Sequence, residues 1–208
     1  MAALALVLVS LCAGRAAAQD EPPRIGPIAI DVRGSFPFFP SDQQLADSRG
    51  LTLEELPGRG LGLDFGAHVY LPRWKFITLG LGGQLTLSRA SSSAIPELGQ
   101  LGATERFVSG GPQISFNFGS GDGWSYVSGG VGLTQWSLIP DGEEAEPGDV
   151  EKLGTLNYGG GARWFAKPHL AFTFDVRFHA IDPGTPALGR PGSPRTTLLV
   201  MSAGFSIK

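Results

Sequence analysis

The chain has 208 residues, with 16 Lys and Arg against 19 Asp and Glu, and a formal net charge of −3. This balance offers no basic surface, so a nucleic-acid partner is not expected. Glycine occurs 31 times. An all-helical fold is therefore disfavoured, because an interior glycine costs a helix about 1 kcal/mol relative to alanine. The glycines do not recur at every third residue, which excludes collagen.

The N-terminal segment predicts a signal peptide over residues 1–18. Residues 2–11 form a short apolar run, and the small residues of Ala16-Ala17-Ala18 suit cleavage after Ala18. Cys12 is the chain's one cysteine and lies in this leader. A lipoprotein is disfavoured because Leu11, rather than a small residue, precedes Cys12. The mature chain is then expected to carry no thiol chemistry.

Alternation with a period of two recurs through the mature chain, and no helical period of 3.6 is found. Residues 76–88 are the clearest case, with Leu, Ile and Gly on one face and Thr, Gly, Gln and Ser on the other. The alternation predicts eight strands, each long enough to cross a bilayer at a tilt. They cover residues 26–34, 60–70, 76–88, 106–118, 124–138, 154–165, 170–180 and 196–208.

The predicted connections alternate strictly between long and short. The long ones are 35–59, 89–105, 139–153 and 181–195, and the short ones are 71–75, 119–123 and 166–169. This order is typical of an up-and-down membrane barrel with short periplasmic turns and long outer loops. We therefore predict an all-β, eight-stranded antiparallel transmembrane barrel over residues 19–208, with both termini periplasmic.

Large aromatic residues are expected at the ends of membrane strands, where an amphipathic ring meets the lipid headgroups. Most of them fall beside the predicted short turns, and one falls at the long-loop end. The predicted interface aromatics are Tyr70, Trp74, Trp124, Trp164 and, at the long-loop end, Trp136.

The polar strand faces are rich in glycine and serine, which suits the narrow lumen of an eight-stranded barrel. The apolar faces then contact hydrocarbon. Several charged or titratable residues share the polar face. They are Asp31, Arg33, Asp64, His68, Arg163, Asp175, Arg177 and His179. Since unpaired charges in a lumen would be costly, we predict an interior ion-pair network that plugs the barrel.

With this strand count, loop order and alternating pattern, residues 25–208 resemble the small outer-membrane β-barrel proteins of the OmpA/OmpX-like superfamily. The resemblance implies residence in the bacterial outer membrane, contact with outer-membrane lipids and lipopolysaccharide, and insertion by the barrel-assembly machinery. It also implies structural, adhesive or stress-related surface roles, although some such barrels modify lipid A. The family's last strand commonly ends in an aromatic residue, where this chain has Lys208.

Three sets of residues could carry chemistry. Asp175, Arg177 and His179 share a strand face and could serve a hydrolase, but Ile181 stands where a lipid A deacylase would have serine. The acidic segment 139–153 could bind calcium, yet lacks the EF-hand spacing and is better explained as a solvated loop. The glycine runs at 80–83 and 159–161 open no helix and are not phosphate loops.

We therefore expect a non-enzymatic barrel with a structural, adhesive or surface-interaction role through its four long loops. No catalytic residue, cofactor or metal is expected, and the sequence does not identify an extracellular partner. A narrow passive pore, a lipid A-modifying enzyme and a soluble periplasmic β-protein remain as alternatives.

Overall fold

The computed structural model describes residues 24–144, 149–186, 189 and 191–208. The predicted signal peptide and Cys12 lie outside the described residues. Over the described ranges, no helix has the length and apolar character needed to span a bilayer.

Eight antiparallel strands form a closed barrel, in which each strand pairs with its neighbours in the sequence and the last pairs with the first. The strands are β1 (Ile28–Phe38), β2 (Gly60–Tyr70), β3 (Ile77–Ser91), β4 (Ala103–Ser120), β5 (Gly123–Pro140), β6 (Val150–Lys167), β7 (Leu170–Ile181) and β8 (Thr196–Ile207). The predicted eight-stranded antiparallel up-and-down barrel is confirmed.

The connections alternate in length around the barrel. Residues 71–76, 121–122 and 168–169 form one end, which we call the short-turn end. Residues 39–59 and 92–102, with the described parts of 141–149 and 182–195, form the other, the long-loop end. Because the number of strands is even, β1 begins and β8 ends at the short-turn end.

Several predicted strand limits were too narrow. β1 continues to Phe38, where it pairs with Leu199 of β8 after its pairing with β2 has ended. β4, β5 and β6 have 18 residues each. Their hydrogen-bonded ladders continue toward the long loops beyond the segment where outward side chains are uniformly apolar, so alternation alone does not reveal their full length.

The first long loop, residues 39–59, contains a helix that the sequence pattern did not indicate. Helix α1 (Gln43–Ser48) has six residues, too few to show a helical period. Its N-terminus is capped by Asp42, whose carboxylate accepts from the backbone N–H groups of Gln44 at 2.8 Å and Leu45 at 3.2 Å. The cap thereby satisfies two backbone N–H groups of the first helical turn, which have no acceptor within the helix.

Side chains alternate between the lumen and the outer surface along every strand, and glycine makes room for large lumen groups. A Cβ added to Gly161 would stand 2.7 Å from the Tyr126 hydroxyl oxygen, and one on Gly82 would stand 2.6 Å from the His68 ring. Such distances are too short for a carbon atom, so these glycines allow the aromatic side chains to lie inside the barrel.

Candidate functional site

A buried set of charged side chains crosses the middle of the lumen. Arg163 donates to both carboxylate oxygens of Asp31, at 2.9 and 2.5 Å. Arg33 lies 3.5 Å from Asp31 and donates from Nε to Asp64 at 2.8 Å. All four side chains are at most 2% exposed. We call these four side chains, together with the lumen side chains hydrogen-bonded to them, the polar belt.

Arg177 and Asp175 form the second part of the polar belt, on β7. The Arg177 guanidinium donates to the two carboxylate oxygens of Asp175 at 3.2 and 3.0 Å. Tyr126 joins the two parts, because its hydroxyl donates to Asp175 at 2.7 Å and accepts from Arg33 at 3.2 Å. Six of the predicted lumen charges are thus brought into one connected group of three carboxylates and three guanidiniums.

Neutral side chains close this group into a circuit around the lumen. Gln84 donates to Asp64, Gln113 donates to the side-chain oxygens of Gln84 and Asn157 at 2.6 and 2.7 Å, and Arg177 donates to Asn157 at 3.1 Å. The circuit uses side chains from β1 to β7. Sequence reasoning missed Tyr126 and these amides, although their inward positions in the alternation could have identified them.

The two histidines assigned to the network are placed differently. His68 and His179 are buried, but neither ring has a hydrogen-bond partner among the described residues. His179 instead packs edge-on against Phe107, with ring centroids 5.1 Å apart. The Asp175 carboxylate is occupied by Arg177 and Tyr126, so the arrangement considered for a hydrolase does not form. Within the described ranges, no group of His, Cys, Asp and Glu residues is arranged to hold a metal ion.

The prediction of interface aromatics is wrong for three of its five residues. Tyr70, Trp124 and Trp136 are 3–7% exposed and face the lumen, whereas Trp74 and Trp164 are 72% and 55% exposed. The three share the inward parity of their strands, which places a side chain more reliably than its closeness to a strand end. Trp136 donates from its indole nitrogen to buried Glu105 at 2.7 Å, a pair that sequence reasoning also missed.

The first long loop packs into the mouth of the barrel at the long-loop end. Leu45 and Ala46 of α1 are at most 1% exposed, and they belong to one buried apolar cluster with inward side chains of β3 to β8. The members from the loop are Phe39, Leu45, Ala46, Leu51 and Leu56. The members from the barrel are Ala90, Ala103, Phe107, Trp136, Leu138, Leu153, Ile181, Leu198 and Val200. We call this arrangement the loop cap.

Two charged residues connect the loop cap to the other long loops. Arg49 donates to Glu151 at the base of the third loop and to the Pro191 carbonyl in the fourth, both at 3.1 Å. Glu55 accepts from the backbone N–H of Leu101 in the second loop at 2.6 Å and from that of Thr52 at 2.7 Å. These two backbone hydrogen bonds hold the pKa of the Glu55 carboxyl below its usual range.

The acidic segment 139–153 is not simply the solvated loop expected. β5 reaches Pro140 and β6 begins at Val150, so Glu151 lies within a strand. Glu151 accepts from Arg49 and from the backbone N–H of Ser193 at 3.1 Å. Asp149 is fully buried. Glu146 lies outside the described residues.

Comparison with solved structures agrees with the barrel geometry. No protein-family model and no curated protein sequence matches the chain. Among solved structures it is similar to Neisserial surface protein A (NspA), with 12% identity, a TM-score of 0.57, and coverage of 88% of this chain and 97% of that one. It also matches Ail, the attachment invasion locus protein of Yersinia pestis, in complex with the heparin analogue sucrose octasulfate. That match has 14% identity, a TM-score of 0.48, and coverage of 86% and 95%. The first likeness shows a shared fold.

Proposed function

We propose that this chain is an integral protein of the bacterial outer membrane, with a closed lumen and a non-enzymatic role at the cell surface. The long loops carry that role, which is structural, adhesive or otherwise interaction-mediating. The short-turn end and both termini face the periplasm. Outer-membrane lipids and lipopolysaccharide surround the barrel, and the barrel-assembly machinery inserts it.

The observation that carries this proposal is an apolar outer surface found on every strand. Members that are more than one-third exposed include Ile30, Val32, Leu63, Val69, Leu81, Leu85, Ile114, Phe116, Val127, Val131, Leu156, Phe172, Phe178 and Phe205. A soluble monomer rarely exposes a continuous apolar surface of more than a few hundred Å². In a bilayer this surface contacts hydrocarbon, and the closed ladder leaves no unpaired strand edge.

A closed lumen is supported by the polar belt and the loop cap together. The belt links seven strands by hydrogen bonds at mid-height, and the cap buries apolar side chains in the mouth above it. A passive pore needs a continuous aqueous path, which an eight-stranded barrel rarely leaves. Among the residues that the structure describes, no contact favours a pore or a hydrolase.

A surface role is supported by the ordering of the long loops. Arg49 and Glu55 tie the first loop to the second and fourth loops and to the start of β6, which gives the long-loop end a defined surface. Binding functions are commonly carried by loops that a rigid scaffold positions. The similar barrel is itself named a surface protein, which agrees with this assignment.

Cell fractionation combined with heat-modifiable gel mobility tests the location and the closed barrel. We expect the chain in the outer-membrane fraction, with an unheated band that migrates differently from the boiled one. Recovery as a water-soluble monomer without detergent would contradict the proposal. Conductance in planar bilayers tests the lumen, where large and stable current steps would contradict closure.

A further inference from the structure

Three arginines stand together on the outer surface near the long-loop end. Arg89 on β3 and Arg106 on β4 are direct register partners and both are exposed. Arg59 comes two residues before Leu61, the partner of Arg89 on β2, so it lies diagonally beside Arg89. Opposed side chains begin about 5 Å apart, and diagonal ones about 7–8 Å apart. We call these three residues the arginine cluster.

Within the part of the chain that the structure describes, no carboxylate lies at ion-pairing distance from the arginine cluster. The guanidinium carbon of Arg59 lies 6.0 Å from the centroid of the Phe38 ring, and this contact does not neutralise the positive charge. Like charges directly opposite each other on neighbouring strands are destabilising. An anion between Arg89 and Arg106 would remove that repulsion.

The surface next to the arginine cluster indicates the kind of anion. The next outward row toward the short-turn end is Leu63, Leu87 and Val108, which are register partners on the same three strands. A basic row therefore lies directly against an apolar row. A membrane lipid is arranged in the same way, because its charged headgroup lies next to its apolar acyl chains. Arginine also presents a planar fork that matches phosphate oxygens in two-point hydrogen bonds.

We propose that the arginine cluster binds a phosphate group on the headgroup of a phosphorylated glycolipid in the outer leaflet, the lipopolysaccharide class. This inference rests on the proposed function, since the cluster meets a headgroup only if the barrel is inserted with its long loops outward. The row of Leu63, Leu87 and Val108 favours an anion carried by a lipid. This row can contact the acyl chains of a lipid, whereas free phosphate has no acyl chain.

The test measures the affinity of the detergent-purified chain for three probes: diphosphorylated lipid A, dephosphorylated lipid A and inorganic phosphate. We expect wild type to bind the diphosphorylated form best. The affinity of Arg89→Ala/Arg106→Ala for that probe should fall at least tenfold, and its affinity for the dephosphorylated form should change little. Arg89→Lys/Arg106→Lys should retain part of the affinity. Arg24→Ala/Lys167→Ala removes two exposed charges at the short-turn end and should bind like wild type.

Three results would overturn the inference alone, provided that each variant shows the heat-modifiable mobility of a folded barrel. One is equal affinity of wild type and Arg89→Ala/Arg106→Ala for diphosphorylated lipid A. Another is an equal loss in Arg24→Ala/Lys167→Ala, which would show that only net charge matters. The last is binding of inorganic phosphate as tightly as the lipid. A wild-type chain without a heat-modifiable barrel form would overturn the proposed function itself.

Discussion

Arg163 on β6 and Asp31 on β1 are 132 residues apart in the chain, yet they meet across the lumen in a two-point ion pair of 2.9 and 2.5 Å. Both groups are almost fully buried, so water cannot replace either partner. Such a pair joins two strands that are not neighbours in the sheet only while both members are present. Its removal therefore gives a direct test of the polar belt.

Arg163→Ala should lower the free energy of unfolding by about 3–5 kcal/mol, because it leaves the Asp31 carboxylate buried without its main partner. Urea titration of the folded band on unheated gels measures this. Arg195→Ala is the matched control, since its 3.7 Å pair with Asp182 is solvent-exposed and should be worth less than about 1 kcal/mol. Equal midpoints for the two variants would contradict a stabilising belt.

Tyr126→Phe should destabilise the barrel by about 1–3 kcal/mol, because Asp175 loses a donor and Arg33 an acceptor inside the lumen. The same urea titration applies. Tyr158→Phe removes a hydroxyl from the outer surface, where the ring is 45% exposed, and should leave the midpoint unchanged. A larger effect at Tyr158 than at Tyr126 would show that the circuit is not energetically important.

Leu45→Ala should loosen the loop cap without unfolding the barrel, since truncating a buried leucine leaves a cavity that costs about 2–5 kcal/mol. We expect faster trypsin cleavage after Arg49, which is nearly buried in the intact cap. Leu53→Ala changes a side chain that is 42% exposed and should not alter the cleavage rate. Rapid cleavage of wild type at Arg49 would contradict an ordered cap.

The Glu55 hydrogen bonds should give the loop cap a pH dependence in the acid range. The pKa of Glu55 is lowered below its ordinary 4.5, so the stabilisation is present above that pH and is lost as pH falls through the lower folded value. The amide proton shifts of Thr52 and Leu101, followed by NMR, should titrate with a midpoint below 4.5. Glu55→Gln should abolish the titration, and a wild-type midpoint above 4.5 would refute the assignment.

Variants that each retain one tryptophan should separate lumen rings from outer rings. Brominated lipids quench only tryptophans that contact acyl chains, so Trp164, which is 55% exposed, should be quenched more strongly than Trp124, which is 3% exposed. Trp136 should behave like Trp124. Equal quenching at positions 124 and 164 would contradict either the inward placement or membrane insertion.

The aromatic residues illustrate how one sequence signal can be misread when another is available. Trp124 and Trp136 have the same parity as Ser128 and Gly132 of the same strand, and small residues of this kind mark the face that looks into the lumen. Alternation was therefore sufficient to place these tryptophans inside. Closeness to a strand end is a weaker signal, because an eight-stranded lumen also needs large side chains to fill its ends.

The amino-acid sequence was enough to predict the number and order of the strands, the alternation of long and short connections, and the face of each strand that looks inward. These features depend on residue periodicity and composition over ten or so residues, which can be read without knowing any long-range contact. The presence of balanced charge on the inward face could be predicted for the same reason.

The folded barrel was needed to show which charges meet. The pairing of Asp31 with Arg163, the link from Arg33 through Tyr126 to Asp175, and the exclusion of His179 depend on the register of eight strands and on the width of the closed barrel. Packing of Leu45 into the barrel mouth likewise joins a loop to strands far along the chain. Periodicity fixes the face on which a side chain lies, whereas closure of the barrel fixes its height and its neighbours across the lumen.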